Sequence, residues 1–210
     1  MLFRSYLAVN MSLPRVVALL TPGPGPLART LRAWRIPAVA VEDVNSPAFA
    51  AALRASGAEL IVTFHFDQIL SAATIALAPL GGINIHPSLL PRHRGPVPTF
   101  WAGLEEEPAH GVTVHRLVPR IDAGAMLAQR RVMLPAGTTA SAAARLLHEA
   151  AVPLASEVLA RLAAGAVEER VAVPLPYCPF PTRAELREAR RRGLRLVNAA
   201  DLRAALRARL

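Results

Sequence analysis

The chain has 210 residues, 53% of them apolar, which is enough for one domain with a sizeable core and too apolar for a disordered chain. Its formal net charge of +9 is carried by arginine alone, and its single cysteine, Cys178, excludes an internal disulfide and fits a reducing cytoplasm. No run reaches the ~18 apolar residues of a membrane helix, and Asn10, Ser12, Pro14 and Arg15 break the opening segment, so neither a span nor a signal peptide is predicted.

Met11, just ahead of the first apolar run, is a second possible start, with residues 1–14 read as an extension. RVVALL (15–20), PAVAV (37–41) and ELIVTF (59–64) are short, rich in β-branched residues and read as buried strands. Between them, LARTLRAW (27–34) and SPAFAAALRASG (46–57) read as helices, the second with Ser46 as N-cap, Pro47 at N1 and Gly57 at its end. GINIH (82–86) is a further strand, GVTVHRL (111–117) a more openly alternating one, and MLAQRRVML (126–134) one polar enough to lie near an edge. A long helix is predicted over 139–164, closed by Gly165. PLPYCPFPT (174–182) has four prolines, which remove donors and fix φ, so it reads as a strap; 183–210 reads as one or two short Arg-rich helices. Strand–helix alternation predicts an α/β, Rossmann-like, mostly parallel sheet with helices on both faces. The predicted organisation is an extension (1–14), a main α/β domain (15–173), and the strap with its helical tail (174–210).

Several features carry less chemistry than they first offer. TPGPGP (21–26) lacks the G-x-G-x-x-G spacing, and its prolines remove the amides that would cradle a phosphate, so a stiff turn is predicted. Four of the six histidines (His86, His93, His110, His115) fall within 30 residues, but no Cys or acidic residue joins them at ligand spacing, and no metal is predicted. Glu105–Glu107 reads as a solvated turn after a helix. The arginine excess reads first as solvated faces in a compositionally biased chain, and second as affinity for a polyanion.

The segment GGINIHPSLLPRHRGPVP (81–98) differs from these. Residues two apart on a strand share a face, so Asn84 and His86 project together. Pro87 stops ladder pairing directly after them and places the pair at the strand's carboxyl end, where open α/β sheets bind ligands. An amide N–H and an imidazolium can converge there on one developing oxyanion. RIDAGA (120–125) adds a carboxylate, Asp122, in a turn.

NIHPSLLPRHRG and GVTVHRLVPRIDAGAMLAQ together resemble the 10-formyltetrahydrofolate-dependent formyltransferase family, over roughly residues 57–160. That resemblance implies a Rossmann-like fold and a catalytic set of Asn84, His86 and Asp122. It implies 10-formyltetrahydrofolate as formyl donor, with Leu89, Leu90, Pro91, Val118 and Ile121 walling the pterin pocket, and an amine acceptor met by Arg92, Arg94 and Gly95. No metal is required. The expected acceptor is methionyl-tRNA or a related substrate, in a cytoplasmic enzyme with no membrane partner. The alternative within the class is a sugar-amine or other small-amine N-formyltransferase. The alternative from another class is a catalytically idle, Arg-rich binding module on the same fold.

Overall fold

The structure is a computed structural model in which residues 26–207 are described. The predicted strand RVVALL, the extension and most of TPGPGP lie outside these residues. In chain order the elements are α1 (Pro26–Ala33), α2 (Pro47–Ser56), β1 (Ile61–Phe64), α3 (Ala72–Ile75), β2 (Gly82–His86), α4 (Pro98–Gly103), β3 (Gly111–Arg116), β4 (Met126–Arg131), α5 (Ala140–Ala163), α6 (Arg183–Arg191) and α7 (Ala199–Arg207). They belong to two compact units: residues 41–135 with 144–180, and the described part of 1–40 with 136–143 and 181–210.

The first unit is built on a sheet of order β1-β2-β3-β4. β1 and β2 run parallel, joined through α3, whereas β2–β3 and β3–β4 are antiparallel. The described sheet is thus mixed, where a mostly parallel one was expected. Parallel pairing needs a crossover of a dozen or more residues, so the short turn from Arg116 to Met126 permits only a reversal between β3 and β4; the longer β2–β3 connection, which carries α4, does not by its length set the direction.

Alternation divides this sheet into an apolar and a polar face. Ile83 and Ile85 of β2, Val112 and Val114 of β3, and Leu127 of β4 pack against Leu147, Ala151, Leu154, Ala155, Val158 and Leu162 of α5. The helix positions step by three, four and seven, which is the stripe a 3.6-residue period aligns. Asn84 and His86 therefore face the other way. The antiparallel register sets Asn84 opposite His115 and His86 opposite Thr113, while the parallel one sets Thr63 beside Asn84. β3 is buried along nearly its whole length, where a more open strand was expected, because it has a neighbour on each side and α5 beneath it. β4 is at an edge of the described sheet, as predicted.

Two other expectations are corrected. Residues 37–41 form no strand, and Val39 is 78% exposed. An apolar run becomes a strand only when a ladder accepts it; no described residue pairs with this one, and Pro37 withdraws an N–H. β1 is a strand but not a fully buried one: Thr63 is buried, whereas Val62 and Phe64 are each 46% exposed at the edge of the described sheet. By contrast α2 follows its local signals closely. The Ser46 hydroxyl accepts from Phe49 N–H, Pro47 opens the helix, and Gly57 closes it at φ +66.

In the second unit, Ala140 N–H and Ser141 N–H donate to the carbonyls of Arg195 and Leu196 at 2.9 and 3.1 Å. The Thr139 hydroxyl donates to the buried Asp201 carboxylate at 2.7 Å. Thr182 and Glu185 form a reciprocal capping box at the start of α6. The predicted Arg-rich tail is these two short helices.

Candidate active site

The polar face of the sheet carries a buried network at the carboxyl end of β2. The Asn84 Oδ1 accepts from the Thr63 hydroxyl at 2.8 Å. Its Nδ2 lies 3.1 Å from His115 Nε2 and donates to Asp122 Oδ1 at 3.3 Å. His86 Nδ1 is 3.6 Å from Asp122 Oδ1, and His115 Nε2 is 3.5 Å from the same oxygen. Asn84 and His86 of β2 and His115 of β3 are therefore gathered around one carboxylate oxygen of Asp122, which comes from a turn distant in sequence from β2.

The partners fix the tautomers, since a backbone carbonyl can only accept. His86 Nε2 lies 3.1 Å from the His93 carbonyl, so it bears the hydrogen and Nδ1 is left with a lone pair toward Asp122. His115 Nδ1 lies 2.9 Å from the Arg116 carbonyl and bears its hydrogen, which leaves Nε2 facing both the Asn84 amide and the Asp122 carboxylate. Burial pushes the His86 pKa below its ordinary value; Asp122 and the His93 carbonyl pull the other way without prevailing. For Asp122, burial raises the pKa, but the adjacent His115, the His86 ring and the Gly95 N–H together hold the carboxyl below its ordinary value.

The Asp122 loop is held by backbone contacts that only certain residues permit. Asp122 has φ +46, in the left-handed region. Gly95, at φ +123, donates its N–H to Asp122 Oδ2 at 2.9 Å, and a Cβ there would come within 2.3 Å of the Cys178 carbonyl. At Gly124 a Cβ would sit 1.9 Å from the Arg116 carbonyl. Arg94 is 3% exposed. Its Nε donates to the carbonyls of Ile121 and Asp122 at 3.1 Å, its Nη1 to Leu175 at 2.9 Å, and its Nη2 to Ile121. An arginine assigned to the acceptor from its place in the RHRG turn is thus occupied in holding the Asp122 loop, because its planar fork matches three converging carbonyls. Arg92 is exposed and pairs with Glu105. Glu105 also lies 3.2 Å from His93 Nε2, so the residue read as a solvated turn is an ion-pair partner that the RHRG turn reaches.

The 87–91 loop is fixed from β3. The Thr113 hydroxyl donates to the Ser88 carbonyl at 2.7 Å and accepts from Leu90 N–H at 3.1 Å and Gln129 Nε2 at 2.9 Å. Leu90 is buried, Leu89 and Pro91 are half-buried, and Val118 and Ile121 are exposed. Leu90 and Pro91 line a narrow crevice with Asp122, Ala123 and Gly124. Ile121 instead lines a cleft of about 570 Å³ with Arg120, Leu175 and Tyr177. Neither space gathers all five residues expected around a pterin. Thr63 and His115 belong to the network and were not assigned to it from sequence. The signal for His115 is its alternation with Thr113, which becomes informative only once the antiparallel register sets it opposite Asn84.

Comparison with known proteins places this geometry in context. The formyl transferase family model matches residues 30–159. The fold is shared with the formyltransferase PseJ from Anoxybacillus kamchatkensis, solved in complex with UDP-4,6-dideoxy-4-formamido-L-AltNAc and tetrahydrofolate, at 20% identity and a TM-score of 0.61, covering 86% of this chain and 94% of that one. It is shared with glycinamide ribonucleotide transformylase 1 from Symbiobacterium toebii at 23% identity and a TM-score of 0.61, covering 69% and 74%. A sugar N-formyltransferase from Shewanella sp. matches at 23% identity and a TM-score of 0.58 over 79% of this chain, which spans 65% of that protein, just under two thirds of its length.

Proposed function

The chain belongs to the formyl transferase family, and from that premise we propose that it transfers a formyl group from 10-formyltetrahydrofolate to the amine of a small acceptor, with Asn84, His86 and Asp122 as the reacting set. The observation that carries this reading is the convergence of Asn84 Nδ2 and His86 Nδ1 on Asp122 Oδ1. The donor supplies an activated formyl carbon. The acceptor nitrogen bonds to that carbon, its oxygen becomes an alkoxide, and the bond to the folate nitrogen then breaks. Asn84, its amide oxygen held by Thr63, serves as N–H donor to the alkoxide, turning to it the Nδ2 hydrogen that faces His115 in the free site. His86 is neutral before reaction because of its burial, so its Nδ1 can take the proton the amine loses. Asp122 stabilises the resulting imidazolium, and the folate nitrogen leaves with the proton His86 returns.

The walls around these residues suit a flat, hydrogen-bonding donor in kind. Leu90 and Pro91 offer apolar surface, and the Asp122–Gly124 turn offers polar edges. The neighbouring cleft has the volume of a small-molecule site, and in it Arg120 and Tyr177 present a cation and a ring.

For the acceptor, a sugar amine is better supported than methionyl-tRNA. Two of the structures compared above are a sugar N-formyltransferase and a formyltransferase bound to a nucleotide sugar. The deciding experiment incubates the full chain with 10-formyltetrahydrofolate and a panel of nucleotide-linked amino sugars, glycinamide ribonucleotide and methionyl-tRNA, and reads formylated product by mass. A formylated amino sugar is expected. Formylation of methionyl-tRNA alone would restore the first expectation, and donor binding without any product would favour the idle binding module.

A further inference from the structure

The RHRG turn contains a residue that the scheme above leaves unused. His93 lies at φ +56, a region that non-glycine residues enter at a cost. Its carbonyl is the one that meets His86 Nε2. Its ring, one-tenth exposed, reaches Glu105, which Arg92 also pairs. His93 Nε2, Glu105 Oε2 and His110 Nδ1 are buried without a hydrogen-bond partner among the described residues, and the contact between His93 Nε2 and Glu105 Oε1 is an ion-pair distance rather than an aligned hydrogen bond. The charged and titratable groups facing His93 are Glu105 after α4, Arg92 in the same turn, His110 before β3, and His86 on β2. Those facing His86 are Asp122, His115, Arg94, His93 itself and, on α5, His148. Burial holds both His93 and His110 below the ordinary imidazole value, with Glu105 acting the other way. These side chains are not grouped to hold a metal ion. A strained turn and a buried polar cluster directly behind the His86 ring need a reason, and the hydrogen bond to His86 supplies one.

We propose that Glu105 and His93 form an anchor that positions His86: the Glu105–His93 contact holds the turn in its left-handed conformation, so that the His93 carbonyl keeps the hydrogen on His86 Nε2 and leaves Nδ1 as the proton acceptor. The inference rests on the reading of His86 given above. Glu105 and His93 touch no reacting atom; they are positioning residues acting through His86. The carbonyl lies on the far side of the ring from Asp122, so the two contacts together set which nitrogen faces the carboxylate.

The test reads the His86 ring directly, by nitrogen-edited NMR of histidine side chains in the ligand-free full chain, across pH, for wild type, Glu105→Ala, Glu105→Gln and His93→Gly. Glycine adopts the positive φ freely and keeps the carbonyl, so His93→Gly removes the anchor without adding strain. In wild type, His86 should show one tautomer with hydrogen on Nε2. In Glu105→Ala and His93→Gly it should exchange between tautomers. Its titration midpoint should fall, because the carbonyl contact that favours the cation is loosened. kcat should drop about 10-fold with KM changed less than about twofold, as expected when a group is displaced rather than removed. Glu105→Gln, which retains an acceptor oxygen, should recover most of the loss. If Glu105→Ala fails to fold, His93→Gly decides. Wild-type His86 signals in a folded His93→Gly would overturn the anchor. Altered signals together with full turnover in His86→Ala would leave the anchor standing and remove the catalytic reading of His86 instead.

Discussion

Arg94 and the arginines of α6 are the same residue type in opposite circumstances. Arg94 is buried, and its guanidinium is shared among carbonyls of Ile121, Asp122 and Leu175. Arg183, Arg187 and Arg190 lie on one exposed stripe of α6 at spacings of four and three. Nearby Arg191 and Arg192 pair with the neighbouring Glu188 at the surface. A formal charge of +9 counts these residues equally. Physically they differ, because hydrogen bonds made by a charged group in a dry interior are strong and geometry-specific, whereas exposed ion pairs are screened and worth little. What distinguishes the site from the tail is thus the depth at which polar groups are satisfied. The same contrast separates Asn84, held by three partners, from the polar residues of the surface.

The largest effect should come from removing the groups gathered on Asp122. Asn84→Ala is expected to lower turnover by ~10²–10³-fold, the range typical of a lost oxyanion donor, and His86→Ala by ~10²–10⁴-fold, the range of a lost general base, while circular dichroism and unfolding curves show the fold retained. Turnover near wild type in either variant would mean that the buried polar face of the sheet is structural, like many buried networks, and that its contrast with the tail says nothing about chemistry.

Much of this arrangement is legible in the sequence, and the remainder is not for definable reasons. α2 is legible because its cap, its Pro and its closing Gly act within a few residues of one another. β2 is legible because alternation and Pro87 mark its end, and from it the shared face of Asn84 and His86 follows. The regular stripe of α5 is likewise local. The antiparallel placement of β3 is not, since strand pairing is decided between segments; with it go His115 opposite Asn84 and Thr63 beside it. Residues 37–41 show the converse error, a run with strand composition and no described ladder to join. The partners of Glu105 and Arg94 are not legible for related reasons. A charge in a turn reads as meeting solvent or a ligand, and only the fold shows the protein groups that occupy it.

The middle-sized effect concerns stability. Arg94→Lys keeps the charge but loses the planar fork, so a single ammonium cannot match all three carbonyls that the spread guanidinium serves. A decrease of about 2–3 kcal/mol is expected in denaturant unfolding, together with reduced turnover, because the Ile121–Asp122 segment loses its support. A lysine variant with the wild-type midpoint would erase the distinction between Arg94 and the surface arginines.

The smallest effect is expected in the tail, and it sharpens the comparison from the other side. Arg183, Arg187 and Arg190 bury nothing comparable to Arg94, so replacement of each by Gln should change unfolding free energy by no more than about 0.5 kcal/mol. Turnover of a small amine should be unchanged in the triple variant, since none of the three contributes to the polar network around Asp122. The triple variant also separates the two acceptor classes. An RNA acceptor gripped by this stripe would release counterions, and removing its cations would flatten the salt dependence of binding by nearly one unit of slope for each phosphate no longer neutralised. A sugar-amine acceptor predicts no such change. Measurement of methionyl-tRNA binding between ~50 and 200 mM salt, in wild type and in the triple variant, therefore decides whether the α6 arginines are a solvated face or a second functional surface. Equal, weak binding in both would leave the charge of this helix to solvent, and a steep slope that disappears in the variant would give the tail the role that its depth of burial argues against.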